Sequence, residues 1–299
     1  MEWLILTLIA TILFAITNYI DKYLVKKHFN NNIIGLIIIS CFISILIIPI
    51  FYILKPQVIF INPLTAIILI LNGAMFLLYL FPYFKSLDLA DTNTVICLFQ
   101  MIPIIGLILG WIFLKETITY NQLIACILII FGTILISIDF KEIKLNKKVL
   151  IYMFLASGII CLNDLIFKIF AISIDFTTAS FWQYTGYVFL GIILLILFKD
   201  SRKSLIKKLT KQSALIKINI LNEIINIVGI VLRSLALLSV PIGIVQLVGG
   251  IQSANVFILG ILFAYLIPNF FNENYSKQII IQKTISLVII FIGLIFLSI

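Results

Sequence analysis

Charge is scarce in this 299-residue sequence: 11% of its residues are Asp, Glu, Lys or Arg and 63% are hydrophobic, with a mean hydropathy of +1.25. A soluble domain carries about a quarter charged residues, so a water-soluble globule is excluded. Histidine occurs once, as His28 in a basic stretch, and the 4 cysteines, Cys41, Cys97, Cys126 and Cys161, stand singly inside apolar runs. That spacing offers neither a disulfide framework nor a metal site, so no metal and no cofactor is expected, and the thiols read as small core residues. The alternating strands of a β-barrel are missing. Missing too are the clustered Asp, His or Ser groups at a membrane face that a membrane-embedded lipid-modifying enzyme needs, and the sequence does not read as an enzyme. The net charge of +9 has no aromatic-interleaved basic surface behind it, so nucleic acid is not an expected partner.

What is present is one apolar run after another. Runs of about twenty residues cross the roughly 30 Å hydrocarbon layer as helices, because each backbone polar group must be satisfied within its own segment. Spans are expected at about 3–24, 32–54, 64–86, 92–114, 120–138, 148–171, 177–198, 214–238, 242–266 and 279–298. The fold class is therefore all-α integral membrane, with ten transmembrane helices, the lipid bilayer as solvent and a multi-pass place in the cell (cytoplasmic) membrane. The opening MEWLILTLIATILFA has no basic leader region or cleavage site and reads as the first span. Of the 21 Lys and Arg, all but Lys55, Lys115, Lys168 and Arg233 follow odd-numbered spans. By the positive-inside rule those loops are cytoplasmic and both termini face outward.

The stretch from Tyr83 to Ile138 has a degenerate copy between Leu232 and Ser298. Lys85-Ser86-Leu87 falls on Arg233-Ser234-Leu235, Gly110 on Gly260, and Gly132 through Ser137 on Gly293 through Ser298. The starts of the two halves also correspond, with Asn18 and Lys22 over Asp164 and Lys168. Two tandem copies of an odd number of helices enter the membrane in opposite senses, which makes the repeat an inverted one. The expected domains are residues 1–140 and 141–299, each a five-helix repeat, joined by DFKEIKLNK.

The segment Tyr83 to Glu116, with its polar turn, mid-span Pro103 and Leu-Lys-Glu exit, followed by a span ending Gly132-Thr-Ile-Leu-Ile-Ser, resembles the EamA-type repeat of the drug/metabolite transporter superfamily. The resemblance extends over nearly the whole chain and is strongest from 83 to 138. It implies a ten-helix secondary transporter with a central cavity between its halves, moving small metabolites or amino acids, often outward. The chain departs from the pattern where the second copy lacks the exit glutamate and inserts IPNFFNENYSK, and in its outward-facing termini.

A charged side chain in the bilayer needs a reason to be there. Asn219, Asn222, Glu223 and Asn226 stand at i, i+3, i+4 and i+7 on the eighth span and make one polar stripe. The stripe reads either as a substrate or proton site, with Glu223 the titrating group, or as hydrogen bonding that holds the bundle. Asn18 and Asp164 occupy equivalent places, and Asp164 reads as a cavity group or as the partner of Lys168 one turn on. Gln100, Gln246, Gln252 and Asn255 on the fourth and ninth spans, with Asn72 and Gln183 on the third and seventh, complete the expected substrate- or ion-binding set. Pro103, Gly249 and Gly250 are expected hinge or packing positions. Arg233 reads as a span end reaching for the interface, Asp21 as a solvated helix end, and Glu116 as an exposed pair with Lys115. Trp182 and Tyr184 read as interface anchors.

Together these readings give a secondary transporter for a small polar metabolite, amino acid-like or similar, working by alternating access between spans 1, 3, 4, 6, 8 and 9. It is expected to export and to couple to protons through Glu223. A lipid-linked sugar flippase is the alternative within transport, and a homodimer is compatible with the sequence.

Overall fold

Prolines decide where several of the helices break. The computed structural model describes residues 2–28, 33–90, 92–137, 146–200, 213–266 and 277–298. Its helices are α1 (Glu2–His28), α2 (Ile33–Ile43, then Ile48–Leu54), α3 (Pro63–Leu77, then Leu80–Leu89), α4 (Thr92–Leu98, then Met101–Leu114), α5 (Tyr120–Ser137), α6 (Lys147–Ser173), α7 (Phe176–Leu197), α8 (Ser213–Leu237), α9 (Ile242–Gly249, then Gln252–Leu266) and α10 (Lys277–Ser298). A proline ring clashes with the carbonyl four residues before it and removes one N–H. Pro49, Pro82 and Pro103 therefore loosen the chain at Ile45, Leu78 and Phe99, which is where α2 tightens into a 3-10 turn and α3 and α4 are interrupted. The interruption of α9 at Gly250-Ile251 has no proline and falls on the expected glycine pair.

Helix ends carry local signals as well. Asn62 precedes Pro63 and accepts from the Leu64 N–H, and Asn146 accepts from Lys148 N. Asp175 caps α7 by accepting from Thr178 N at 2.9 Å. Such caps satisfy N–H groups that the first turn leaves without partners.

Among the described residues, eight helical segments are long and apolar enough to cross a membrane, and two shorter apolar helices, Tyr120–Leu135 and Ile281–Leu297, lie within α5 and α10. Large apolar side chains face outward along the bundle, among them Leu64, Trp111, Phe113, Ile127, Ile196 and Phe291. Lipid is as apolar as these side chains, so close packing and hydrogen bonds hold the helices together in place of the hydrophobic effect. The helices pair α5 with α10, α1 with α8, α3 with α6 and α7, and α4 with α9. Where α5 crosses α10, a Cβ on Gly132 would overlap Ile290 and one on Gly293 would overlap Ile129. The two glycines that the sequence equates are thus both needed bare at one crossing. DFKEIKLNK up to Leu145, the basic stretch 201–212 and most of the IPNFFNENYSK insertion lie outside the described residues.

Candidate functional site

A cavity lies between α1, α3, α4, α6, α8 and α9. It is lined by the second half of α1 (Phe14 to Asp21), the residues around the break of α3 (Phe76 to Phe84), the break of α4 (Ile96 to Ile102) and Glu223 to Arg233 of α8. The cavity therefore occupies the middle of the bundle, reaching toward the ends of α1 and α3 on one side and to Arg233 and Gln246 on the other. One wall is aromatic: Phe76, Tyr79, Tyr83 and Phe99 follow one another with ring centroids 5.0, 6.1 and 5.7 Å apart. The polar lining includes Asn18, Asp21, Glu223, Asn226, Gln246 and Gln252.

The polar groups are organised by neighbours from other helices. Glu223 accepts from the Ser40 hydroxyl of α2 and from the Asn226 amide one turn on. Asp21 accepts from Asn222 Nδ2 at 2.7 Å and from the Tyr83 hydroxyl at 3.1 Å, the same hydroxyl lying 2.8 Å from Asn18 Oδ1. Deeper in, Arg233 donates to Asp164 Oδ1 at 2.9 Å, and Gln246 donates to the other oxygen of that carboxylate. Tyr83 stands to Asn18 on α1 as Arg233 stands to Asp164 on α6. The two interrupted helices meet where each is broken: Gln100 Nε2 donates to the Gly250 carbonyl at 3.1 Å. Among the described residues Asn18 Nδ2, Gln100 Oε1 and Arg233 Nε are buried without a protein partner, and all three residues line the cavity.

The face beyond Arg233 is tied shut. Lys115, exposed, ends α4 in the left-handed region (φ 55°, ψ 29°), and Glu116 N donates back to the Gly110 carbonyl at 3.1 Å. This turn folds the Glu116 side chain over Gly110, where a Cβ would strike Oε2. Glu116 then receives Lys168 of α6 at 2.6 Å and the Ile242 N–H at 2.9 Å, while Lys168 also donates to the Val240 carbonyl at 2.7 Å. On the same face Lys55 meets Asp175 at 2.6 Å. Burial pulls the Asp175 carboxyl upward, but the bonds from Lys55 and Thr178 together outweigh it and hold it below the usual carboxylate range. At the opposite face Lys22 donates to the Leu87 and Ala90 carbonyls that end α3, as Lys168 does to Val240 after α8.

Of the residues singled out by sequence, Asn18, Gln100, Glu223, Asn226, Gln246, Gly249, Gly250 and Gln252 line this cavity. Asp164 lies behind Arg233 and Gln246. The others fall elsewhere. Asn72 and Asn163 exchange amide-to-carbonyl bonds between α3 and α6, with Gln183 of α7 donating to Asn163. Asn255 donates to Thr11, Pro103 is buried in α4 beside the lining, and Asn219 is buried on α8 outside it. Asn222 reaches the site only through Asp21.

Three expectations are corrected. Arg233 does not reach for the interface but is buried and ion-paired to Asp164; a mid-bundle carboxylate outcompetes the membrane surface. Asp21 is no solvated end but a cavity carboxylate, because α1 runs on to His28 and leaves it inside the bundle. Glu116 turns inward to Lys168 rather than outward to Lys115, since the left-handed residue reverses the chain. The sequence did carry one signal for Asp21 and Arg233: each stands one residue from, or on, a position matched between the halves.

Residues 1–138 match the EamA-like transporter family. A solved crystal structure of a protein is similar over 98% of this chain and 95% of its own length, with a TM-score of 0.68 at 13% identity, a likeness of fold. No curated protein sequence matches the chain. The family consists of membrane transporters of the drug/metabolite type, and the apolar helices make this chain a multi-pass membrane protein. The broken helices that cross beside a polar cavity thus stand in a chain whose residues 1–138 are similar to the EamA-like transporter family.

Proposed function

We propose that the chain is a ten-span secondary transporter, built from inverted repeats at 1–140 and 141–299, that exports a small polar metabolite from the cytoplasm by alternating access. The observation that carries this reading is the cavity itself, which draws on both halves and holds two carboxylates, Asp21 and Glu223, against an aromatic wall. The repeat is supported by the pairing of equivalent elements: α5 with α10, α4 with α9 at their breaks, and α1 with α8 as α6 with α3. The face where the odd-numbered helices end is, by positive charge, the cytoplasmic one. Both termini are then outside, and the membrane is the cytoplasmic membrane.

In transport the Glu116–Lys168 face opens while the half around Asp21 and Tyr83 closes, the two halves rocking about the broken segments of α4 and α9. Glu223 is the proton-coupling group, exchanging its proton as the cavity turns from one side to the other. Its neighbours Ser40 and Asn226 hold the carboxylate in place and accept or donate as its charge changes. The test is purified protein in proteoliposomes. Glu223→Gln is expected to abolish movement driven by a pH gradient while leaving solute exchange measurable at saturating solute. Unchanged proton dependence in that variant removes the coupling role, and absence of any solute flux from the parent protein removes the transporter reading.

A further inference from the structure

The two cavity carboxylates face only neutral donors. Glu223 is met by a serine hydroxyl and an amide, Asp21 by an amide and a phenol. The ion pairs among the described residues, Lys55–Asp175, Lys168–Glu116 and Arg233–Asp164, include neither. Titratable groups that face them from the packed helices are Cys41 on α2 and Tyr79 and Tyr83 on α3, none of them a cation. Lys22, next in sequence to Asp21, points at the carbonyls ending α3. Arg233 is the one cation among the lining residues; it stands ten residues along α8 from Glu223, about 15 Å along the helix axis, and is engaged by Asp164.

Two adjacent carboxylates in a low-dielectric cavity repel one another and attract whatever positive charge can enter. The same cavity is lined by a run of aromatic rings, Phe76, Tyr79, Tyr83 and Phe99, whose faces attract a cation that is poorly hydrated. Among the described residues there is no group of three or more metal-ligating side chains, so an organic cation suits the site better than a metal ion. An α-amino acid carries its carboxylate about one bond length from the carbon that bears its ammonium. That anion would lie against Asp21 and Glu223 too, far from Arg233.

We propose that the substrate is an organic amine with no carboxylate beside its charge, its ammonium held by Asp21 and Glu223 and its body against Tyr79, Tyr83 and Phe99. The inference rests on the transporter reading above and narrows it. Protons and the amine then compete for the same two carboxylates, so lowering the pH displaces the amine.

The test uses four ligands that share one ring and differ in charge: phenethylamine, phenylalanine, phenylacetate and phenylethanol. Each is titrated calorimetrically into purified full-length protein in lipid nanodiscs. Phenethylamine is expected to bind, the other three at least about tenfold more weakly, since each lacks the cation or adds an unpaired anion. Its binding is expected to weaken as pH falls across a range in which the amine stays protonated. Asp21→Asn and Glu223→Gln are each expected to weaken it about tenfold or more. Equal or tighter binding of phenylalanine or phenylacetate overturns the inference, as does binding of none of the four. So does phenethylamine binding that ignores both substitutions in folded, monodisperse variants. The four-ligand comparison needs no variant and decides the matter if either substitution fails to fold. Solute flux in proteoliposomes is a separate readout, so the amine can fail while the transporter stands.

Discussion

Replacing Glu116 by Gln isolates the electrostatic part of the closed face. The side chain keeps its size and an acceptor for the Ile242 N–H, but Lys168, 7% exposed, loses the carboxylate 2.6 Å away. At an effective dielectric constant near 20 the attraction at that separation is about 6 kcal/mol. Desolvation of both ions offsets part of it, and breaking a buried pair by removing one partner costs about 3–5 kcal/mol. Because Glu116 is 14% exposed, the lower figure of about 3 kcal/mol applies, which is roughly a hundredfold shift in the balance between closed and open. Ala236, fully buried in the cluster with Leu165 and Ile242, reports on that balance. In a background free of native cysteines, Ala236→Cys is expected to react with a membrane-impermeant maleimide on the order of tenfold or more faster when Glu116→Gln is added. Unchanged labelling refutes the idea that this pair holds the face shut. If thermal stability falls while labelling stays constant, the pair is a brace and not a latch.

Other elements make separate predictions. A Cβ on Gly73 would overlap the Gln183 carbonyl and one on Gly186 the Ile70 carbonyl, so α3 and α7 touch backbone to backbone. Gly73→Ala is expected to destabilise the protein by about 3 kcal/mol or more, because neither carbonyl can move aside without its helix; thermal unfolding in detergent measures it. Asp175→Ala removes the α7 cap and the Lys55 contact and is expected to cost about 1 kcal/mol. The Asp175 carboxyl is held below the usual range when folded, and the unfolded value is about 3.9. Its contribution is therefore present above that value and lost as pH falls through the folded pKa. The parent and variant melting curves should converge in acid; a difference that persists there contradicts the assignment.

Much of the architecture was legible because the membrane leaves few options. Long apolar runs had to be helices, and the breaks of α3 and α4 fall where Pro82 and Pro103 dictate. The polar stripe on α8 was legible as a stripe, yet its members part company: Glu223 and Asn226 line the cavity, Asn222 reaches across to Asp21, and Asn219 is buried outside it. Helical spacing fixes which side chains share a face but not which neighbouring helix each one meets. The same limit explains Arg233 and Glu116. Pairing within a helix can be read from spacing, whereas Arg233–Asp164 and Lys168–Glu116 bridge residues 69 and 52 apart. The reversal at Lys115 was hidden as well, since a left-handed lysine has no signature in a sequence that usually places glycine there.

Alternating access requires one cavity that faces each side of the membrane in turn. Ile230, buried on α8 and lining the cavity, gives the direct measurement. A single cysteine at that position, in protein reconstituted with known orientation, is probed by an impermeant maleimide added to one side or the other. Reaction from both sides, with each blocked by a bound substrate, is the predicted result. Reaction from one side only, under every gradient and ligand condition, contradicts alternating access.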